Sequence, residues 1–304
     1  MTVNLSTAAF YDKSNRYLTD LRGQAAKLQE QASTGKRLTT SSDDPVAAAR
    51  LRSLSRGERL AQIDKSGSNA AMAEMDLVDS ALGSMAQIIM RARELAQLAA
   101  NGVMTDSQRT ALGVETADLR RSLLTIANGE NGSGQALFGG QGAGAAYAEA
   151  AGVVTWQGSG ASKAIDLGEG QTVTPSLTGP EVFAFTVDGA ETDLFAVLGA
   201  LSSSLQGDGT DPVAASRTAL EGLSAGLDRV TTAQAVVGSR MNWVELMDDR
   251  RTTNAELRAE EVKDLGTADL AVTISKLQEV MTVLEASQAS FVRLANISLF
   301  DQLS

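Results

Sequence analysis

Apolar residues step by alternating threes and fours at both ends of this chain. Near the start the series is Tyr11, Ser14, Leu18, Leu21, Ala25, Leu28 and Ala32. Near the finish it is Leu270, Ile274, Leu277, Met281, Leu284, Gln288 and Phe291. Such spacing keeps one stripe of a helix turned towards a partner helix for several turns. Two further series, Met75, Val78, Leu82, Met85, Ile89, Ala92, Ala96, Ala99 and Leu220, Leu223, Leu227, Val230, Val237, Met241, Val244, predict helices that face the chain's own core. The terminal stripes differ from these, because Ser14 and Gln288 interrupt them. A polar residue at a seam position commonly fixes partner and register at some cost in stability. The terminal stripes are therefore expected to form a seam, either with each other or with neighbouring copies.

Punctuation marks divide the helical pattern into segments. A helix over Ser6–Thr34 is expected to stop at Gly35, a residue suited to a left-handed cap. Asp44 followed by Pro45 predicts a helix start, opening a short helix to about Leu60 and then a longer one over Lys65–Ala100. Asn101-Gly102 ends that helix, and Asp106 or Ser107 is expected to cap the next. Asn128-Gly129 and Asn131-Gly132 close the helical pattern. From about Leu137 to Leu205 the pattern changes to short strands at Val153–Trp156, Ala164–Leu167, Thr172–Thr174 and Val182–Val187 between Gly turns, with a tight turn at Val187-Asp188-Gly189. A short closing helix follows over Asp193–Leu205. Asp211-Pro212 then starts a long helix to about Thr253, and a last helix covers Asp264–Asp301. The expected fold is mainly α: an elongated helical bundle or coiled coil formed by residues 1–135 and 212–304, with a small β-rich, solvent-facing domain inserted at 136–211.

Composition sharpens this division. The chain has 304 residues, 28 Gly, 4 Pro and only 4% aromatic residues. A core built from Ala, Leu, Val, Ile and Met suits closely packed helices. Seventeen of the Gly lie between Gly129 and Gly209, which marks that stretch as non-helical. Net charge is −11, and nine acidic residues against a lone Lys163 lie between Gly140 and Pro212. No arginine occurs from Ser122 to Ser216. That acidity argues against nucleic acid as a partner. No apolar run approaches the length of a membrane span, so no membrane partner is expected. The first residues lack the basic start and apolar stretch of a signal peptide, which taken alone predicts a cytoplasmic protein.

Candidate chemistry is sparse. There is no Cys and no His, which removes thiolate nucleophiles, the commonest metal ligand and the usual near-neutral acid–base group. No cofactor, metal or catalytic constellation is expected. Gly140, Gly142 and Gly144 satisfy a loose dinucleotide pattern but lack the strand–helix context it requires, and read as a flexible connection between domains. Asp43 and Asp44 read as a helix cap, Asp208–Asp211 as a calcium-loop fragment without its later Glu, and Asp248–Arg251 as a solvated helix face. A carbohydrate-binding or enzymatic role for the acidic insert has only its carboxylates and the rings of Tyr147 and Trp156 to support it.

Several local motifs carry a family resemblance. Gln31-Ala32-Ser33-Thr34-Gly35-Lys36-Arg37-Leu38, followed by Ser41-Ser42-Asp43-Asp44-Pro45-Val46-Ala47-Ala48-Ala49, resembles the N-terminal signature of the flagellin superfamily. Arg93–Gly102, Asp269-Leu270-Ala271 and Ala295-Asn296-Ile297-Ser298-Leu299-Phe300 are similar to segments shared across that superfamily. The Asp-Asp-Pro-Val-Ala-Ala-Ala form, Leu137-Phe138-Gly139-Gly140 and the ending Asp301-Gln302-Leu303-Ser304 resemble its hook–filament junction branch, with a minor flagellin as the alternative. The turn motif is Gly35, Arg37, Asp43, Asp44 and Pro45. The resemblance implies a non-enzymatic structural component of the bacterial flagellum, exported unfolded by the flagellar type III apparatus with an export chaperone. It further implies a homo-oligomeric ring outside the cell between hook-associated protein 1 and flagellin, with the paired termini innermost.

Overall fold

In a computed structural model, the structure describes the backbone of residues 2–300 and the side chains of residue 9 and residues 11–293. The side chains of Ala295–Phe300 and the ending Asp301–Ser304, both part of the expected signature, lie outside the described residues. The described chain is mainly α: α1 (Thr2–Thr34), α2 (Pro45–Ala100), α3 (Asp106–Ala127), α4 (Gly179–Phe183), α5 (Leu194–Gln206), α6 (Pro212–Gly266) and α7 (Leu270–Phe300). Six short strands, β1 (Tyr147–Ala150), β2 (Val153–Trp156), β3 (Ile165–Gly168), β4 (Gln171–Val173), β5 (Ala184–Val187) and β6 (Ala190–Asp193), pair only with their sequence neighbours, as three antiparallel hairpins.

Helix boundaries follow the punctuation at some positions and overrun it at others. Asp44 caps α2 by accepting from the Ala47 amide at 3.0 Å, and Asp211 accepts from the Val213 amide at 3.0 Å at the start of α6. The break expected near Leu60 is absent: α2 runs 56 residues without interruption. Gly57 and Gly67 cost helix propensity, but tertiary packing outweighs about 1 kcal/mol each. The expected gap between Thr253 and Asp264 is likewise helical, and α6 ends only at Gly266. The cap of α3 is Thr105, not Asp106 or Ser107. Its hydroxyl accepts from the Gln108 amide, and the Gln108 side chain accepts from the Thr105 amide, in a reciprocal capping box.

The three hairpins share one turn geometry. Each has a two-residue loop with both φ positive: Ala151-Gly152 (52° and 82°), Glu169-Gly170 (53° and 75°) and Asp188-Gly189 (50° and 81°). Their twist matches that of the flanking strands, and Gly adopts the second position without steric cost. Val182 and Phe183, expected in a strand, belong to α4 instead. Pro180 in the first turn and the Thr178–Glu181 capping box nucleate that single turn before the chain extends into β5.

Two compact units emerge: residues 1–59 with 253–304, and residues 60–252. The division falls inside α2 and α6, whereas the sequence pattern suggested boundaries at 135/136 and 211/212. The reason is visible in the second unit. There α2, α3, α5 and α6 share one hydrophobic core with residues of the β hairpins, including Met75, Leu82, Leu123, Phe138, Phe183, Leu194, Leu223 and Val230. The hairpins and short helices of 136–211 thus bury their apolar faces on the flanking helices. Phe138, Tyr147, Phe183 and Phe195 form an aromatic cluster with ring centroids 5.1–5.8 Å apart.

Arginines from the flanking helices tie down this arginine-free segment. Arg120 donates to the carbonyls of Phe195 (3.2 Å) and Gly152 (2.8 Å) and pairs with Glu149 at 2.6 Å. Arg240 donates to the carbonyls of Thr174 and Ser176. Arg251 reaches the Leu167 carbonyl at 2.9 Å and the Ser68 hydroxyl at 3.1 Å, so the run Asp248–Arg251 is not simply a solvated face. Leu137 and Phe138 are buried, and the Gly139 carbonyl accepts from the Ser159 amide at 3.0 Å. The stretch that begins there is packed structure, not the flexible connection expected of its glycines.

Candidate assembly surface on the paired termini

In the first unit α1 and α7 lie antiparallel. Tyr11 meets Phe291 edge-to-face at 5.5 Å, Leu18, Leu21 and Leu284 form a small buried cluster with Val280 and Phe291 around it, and further along Leu28 and Gln31 share a groove wall with Lys276. On α1 the expected stripe is the one turned to the partner: Leu18, Leu21 and Ala25 are buried, while Tyr11, Ser14 and Leu28 are half-buried.

On α7 the facing stripe shares Leu277, Leu284, Gln288 and Phe291 with the expected one and departs from it at three positions. Thr273 and Leu284 are buried, and Leu277, Val280, Ser287, Gln288 and Phe291 are half-buried. Leu270, Ile274 and Met281 stay outside, 48%, 46% and 42% exposed. At 3.6 residues per turn the two stripes are offset by about 40°. Heptad reading missed Thr273, Val280 and Ser287 because α7 is apolar on more than one side, so spacing alone did not single out a face. One flank of the pair is a continuous groove. Its two ends, of about 570 Å³ and 530 Å³, share Tyr17 and Val283 and carry Lys13, Lys27 and Lys276 on their rims.

The turn motif builds a clasp at the base of this pair. Gly35 leaves α1 with φ +67°, the left-handed conformation that favours glycine. Its carbonyl accepts from the Ala268 amide at 2.9 Å, and the Arg37 amide donates to the Gly266 carbonyl at 2.7 Å. The Arg37 side chain donates to the Leu265 carbonyl at 2.8 Å and reaches the Asp44 carboxylate at 3.3 Å. One guanidinium therefore satisfies an open carbonyl at the negative end of α6 while pairing with the cap of α2. Pro45 begins α2. Asp43 accepts from the amides of Thr39 and Thr40 and from Lys27, at 3.1, 3.0 and 2.6 Å. The Lys27 ammonium and these donors hold the Asp43 carboxyl well below the usual range, and the Ala47 amide with Arg37 lowers Asp44. Asp269, first in the Asp-Leu-Ala motif, caps α7 through the Val272 amide at 3.1 Å. Lys27, Leu265 and Asp269 were not singled out as partners of the turn motif, since 228 residues separate Arg37 from Leu265.

The rest of the molecule offers little else of a site. Among the described residues no group of three His, Cys, Asp or Glu could hold a metal ion, and no helix is long and apolar enough to cross a membrane. Tyr147 is buried among phenylalanines, and burial, with the charge of Asp193, pushes its hydroxyl well above the usual range. Trp156 donates its indole N–H to the Phe138 carbonyl at 3.0 Å. Tyr147 is buried and Trp156 half-buried, each holding the segment against the core.

Comparison with known proteins points the same way. The bacterial flagellin N-terminal helical region matches residues 5–143. Flagellar hook-associated protein 3 of Escherichia coli K12 is 30% identical over 317 residues, covering 99% of this chain and all of that protein. Flagellin A of Vibrio cholerae is 28% identical over 140 residues, only 46% of this chain and 37% of its own length. A solved structure of a flagellar hook-associated protein from Vibrio parahaemolyticus superposes with a TM-score of 0.69 at 22% identity, covering 74% of this chain and all of that one. The match to hook-associated protein 3 spans both termini and the middle, whereas the flagellin match covers less than half the chain. By its full-length similarity, the chain belongs to the flagellar hook-associated protein 3 family.

Proposed function

We propose that this chain is the structural adaptor between hook and filament, joining hook-associated protein 1 to flagellin as a ring of identical subunits. In this reading the chain passes through the flagellar type III apparatus, with an export chaperone, and works outside the cell. The α1–α7 pair is the docking element, and residues 136–211 face solvent. The supporting observation is that α7 leaves apolar residues open on two sides: Leu270, Ile274 and Met281 remain about half exposed, and on another side Val283 and Ala286 line a groove with an apolar floor. A helix carrying apolar residues on more than one side is built to be surrounded by other helices. The hook-associated protein 1 and flagellin neighbours of this reading are taken from the family resemblance.

Replacing Ile274 and Met281 together by Asp tests this. The double variant should fold like the parent, because both residues are exposed, yet bear no attached filaments and leave flagellin in the medium. Deletion of residues 1–30 or 275–304 should do the same. Normal filaments on cells carrying any of these variants would refute the docking role.

A further inference from the structure

The stripe that α7 turns towards α1 is not the one its own hydrophobicity favours. Leu270, Ile274 and Met281 are bulkier apolar residues than Thr273, Val280 and Ser287, which occupy the inward or half-buried positions. Hydrophobic burial contributes about 25 cal/mol per Å², so a helix free to rotate would turn the larger side chains inward. Something other than the apolar pattern fixes the face.

The clasp has the geometry to do so. Ala268 is hydrogen-bonded to Gly35 and Gly266 to Arg37. Asp269 alone separates Ala268 from the first residue of α7, and Asp269 is itself committed as the cap of that helix. On the other strand Gly35 follows directly on Thr34, the last residue of α1. Neither helix has slack between its end and the hydrogen-bonded bridge. The bridge is in turn anchored by the Arg37 guanidinium, which joins the Leu265 carbonyl of α6 to the Asp44 cap of α2. We infer that Arg37 is a positioning residue: through the clasp it sets the rotation of α7, turning Thr273 and Leu284 towards α1 and holding Leu270, Ile274 and Met281 outward. This rests on the docking role proposed above, and gives the turn motif a task in it. The motif does not touch the docking stripe. It decides which stripe is left free to dock.

The absence of Cys from the chain makes the face of α7 readable by thiol labelling of full-length single variants. With Arg37 intact, the thiol of Met281→Cys should react with an uncharged maleimide roughly tenfold faster than that of Thr273→Cys, as expected for an exposed against a protected position. Adding Arg37→Ala should reverse the order. Arg37→Lys should restore it only in part, because an ammonium does not reproduce the two-ended fork of a guanidinium. Fast labelling at both positions on removal of Arg37 would overturn the inference, showing a staple that holds the pair together without choosing its face. Equal, fast labelling with Arg37 intact would overturn it too, as would a parental pattern in Arg37→Ala. A reversed pattern in cells whose filaments stay attached would leave the positioning role standing and defeat the docking role instead.

Discussion

The second unit and the terminal helix pair are both built from amphipathic helices, yet they bury very different amounts. In residues 60–252 the stripes of α2 and α6 are covered along their length, and Met75, Leu82, Met85, Ile89, Leu223 and Val230 have no accessible surface. Among the described residues of the terminal pair the buried cluster is Leu18, Leu21 and Leu284. At about 1.5–3 kcal/mol for each buried leucine, three leave little after the cost of ordering two helices of some thirty residues. Long helices draw their stability from tertiary packing more than from propensity. Among the described residues, α1 and α7 thus bury far less apolar surface on each other than α2 and α6 bury in the second unit. Backbone hydrogen bonds, not apolar burial, dominate the clasp at the base of the pair.

The largest expected effect tests the difference directly. Phe183→Ala removes a ring 1% exposed at the centre of the aromatic cluster and should cost about 3–5 kcal/mol in chemical denaturation. Leu284→Ala should leave the main unfolding midpoint of the same curve close to the parent's and reduce only helical signal lost early. A shift of that midpoint as large as the one from Phe183→Ala would show a single cooperative structure and break the comparison. A smaller effect is expected at the clasp. Gly35→Ala places a Cβ in a left-handed conformation with open space around it, so its cost should be the backbone term alone, about 1–2 kcal/mol. It should appear as faster amide exchange in α1 and α7, with exchange in α3 and α5 unchanged.

The smallest effect is with pH. The folded carboxyls of Asp43 and Asp44 sit below their ordinary value of 3.8, so their contribution is fully present above that value. It is lost as pH falls through the lower folded values, where protonation removes the acceptors of Lys27, Thr39, Thr40, Ala47 and Arg37. The protection factors of amides in residues 35–44, which divide out the intrinsic pH dependence of exchange, should therefore be flat from neutrality to about pH 5 and fall below about pH 4. Asp43→Asn should flatten much of this response. Protection factors that fall on raising the pH instead would contradict the assigned acceptors.

Much of the fold was legible because its signals are local. Gly35, Asp44-Pro45, Asn101-Gly102 and Asp211-Pro212 mark helix ends with the backbone geometry each residue type prefers, and the structure places ends there. Ala151-Gly152 and Glu169-Gly170 make the same turn as Asp188-Gly189 but were not marked, because Ala and Glu lack the preference for a positive φ that Asp has. Continuity of α2 past Leu60 and of α6 past Thr253 was not legible, since a few Gly and polar residues resemble a break until packing is known. The seam of α1 was legible in full, for only one of its sides is apolar. That of α7 was not, because two of its sides qualify and the choice between them lies in the α6–α7 connection.

By itself, the sequence determined that the chain is mainly helical, many of the points where its helices start or stop, which segment forms hairpins, and which residues make the turn motif. Those properties depend on contacts between residues a few positions apart. Tertiary structure decided which apolar stripes are covered: the hairpin segment shares the core of α2, α3, α5 and α6, arginines from those helices secure it, and Leu270, Ile274 and Met281 are left outside. These outcomes depend on groups brought together from distant parts of the chain, as Arg37 is with Leu265. No local pattern encodes the rotation of a helix about its own axis when several of its sides are apolar.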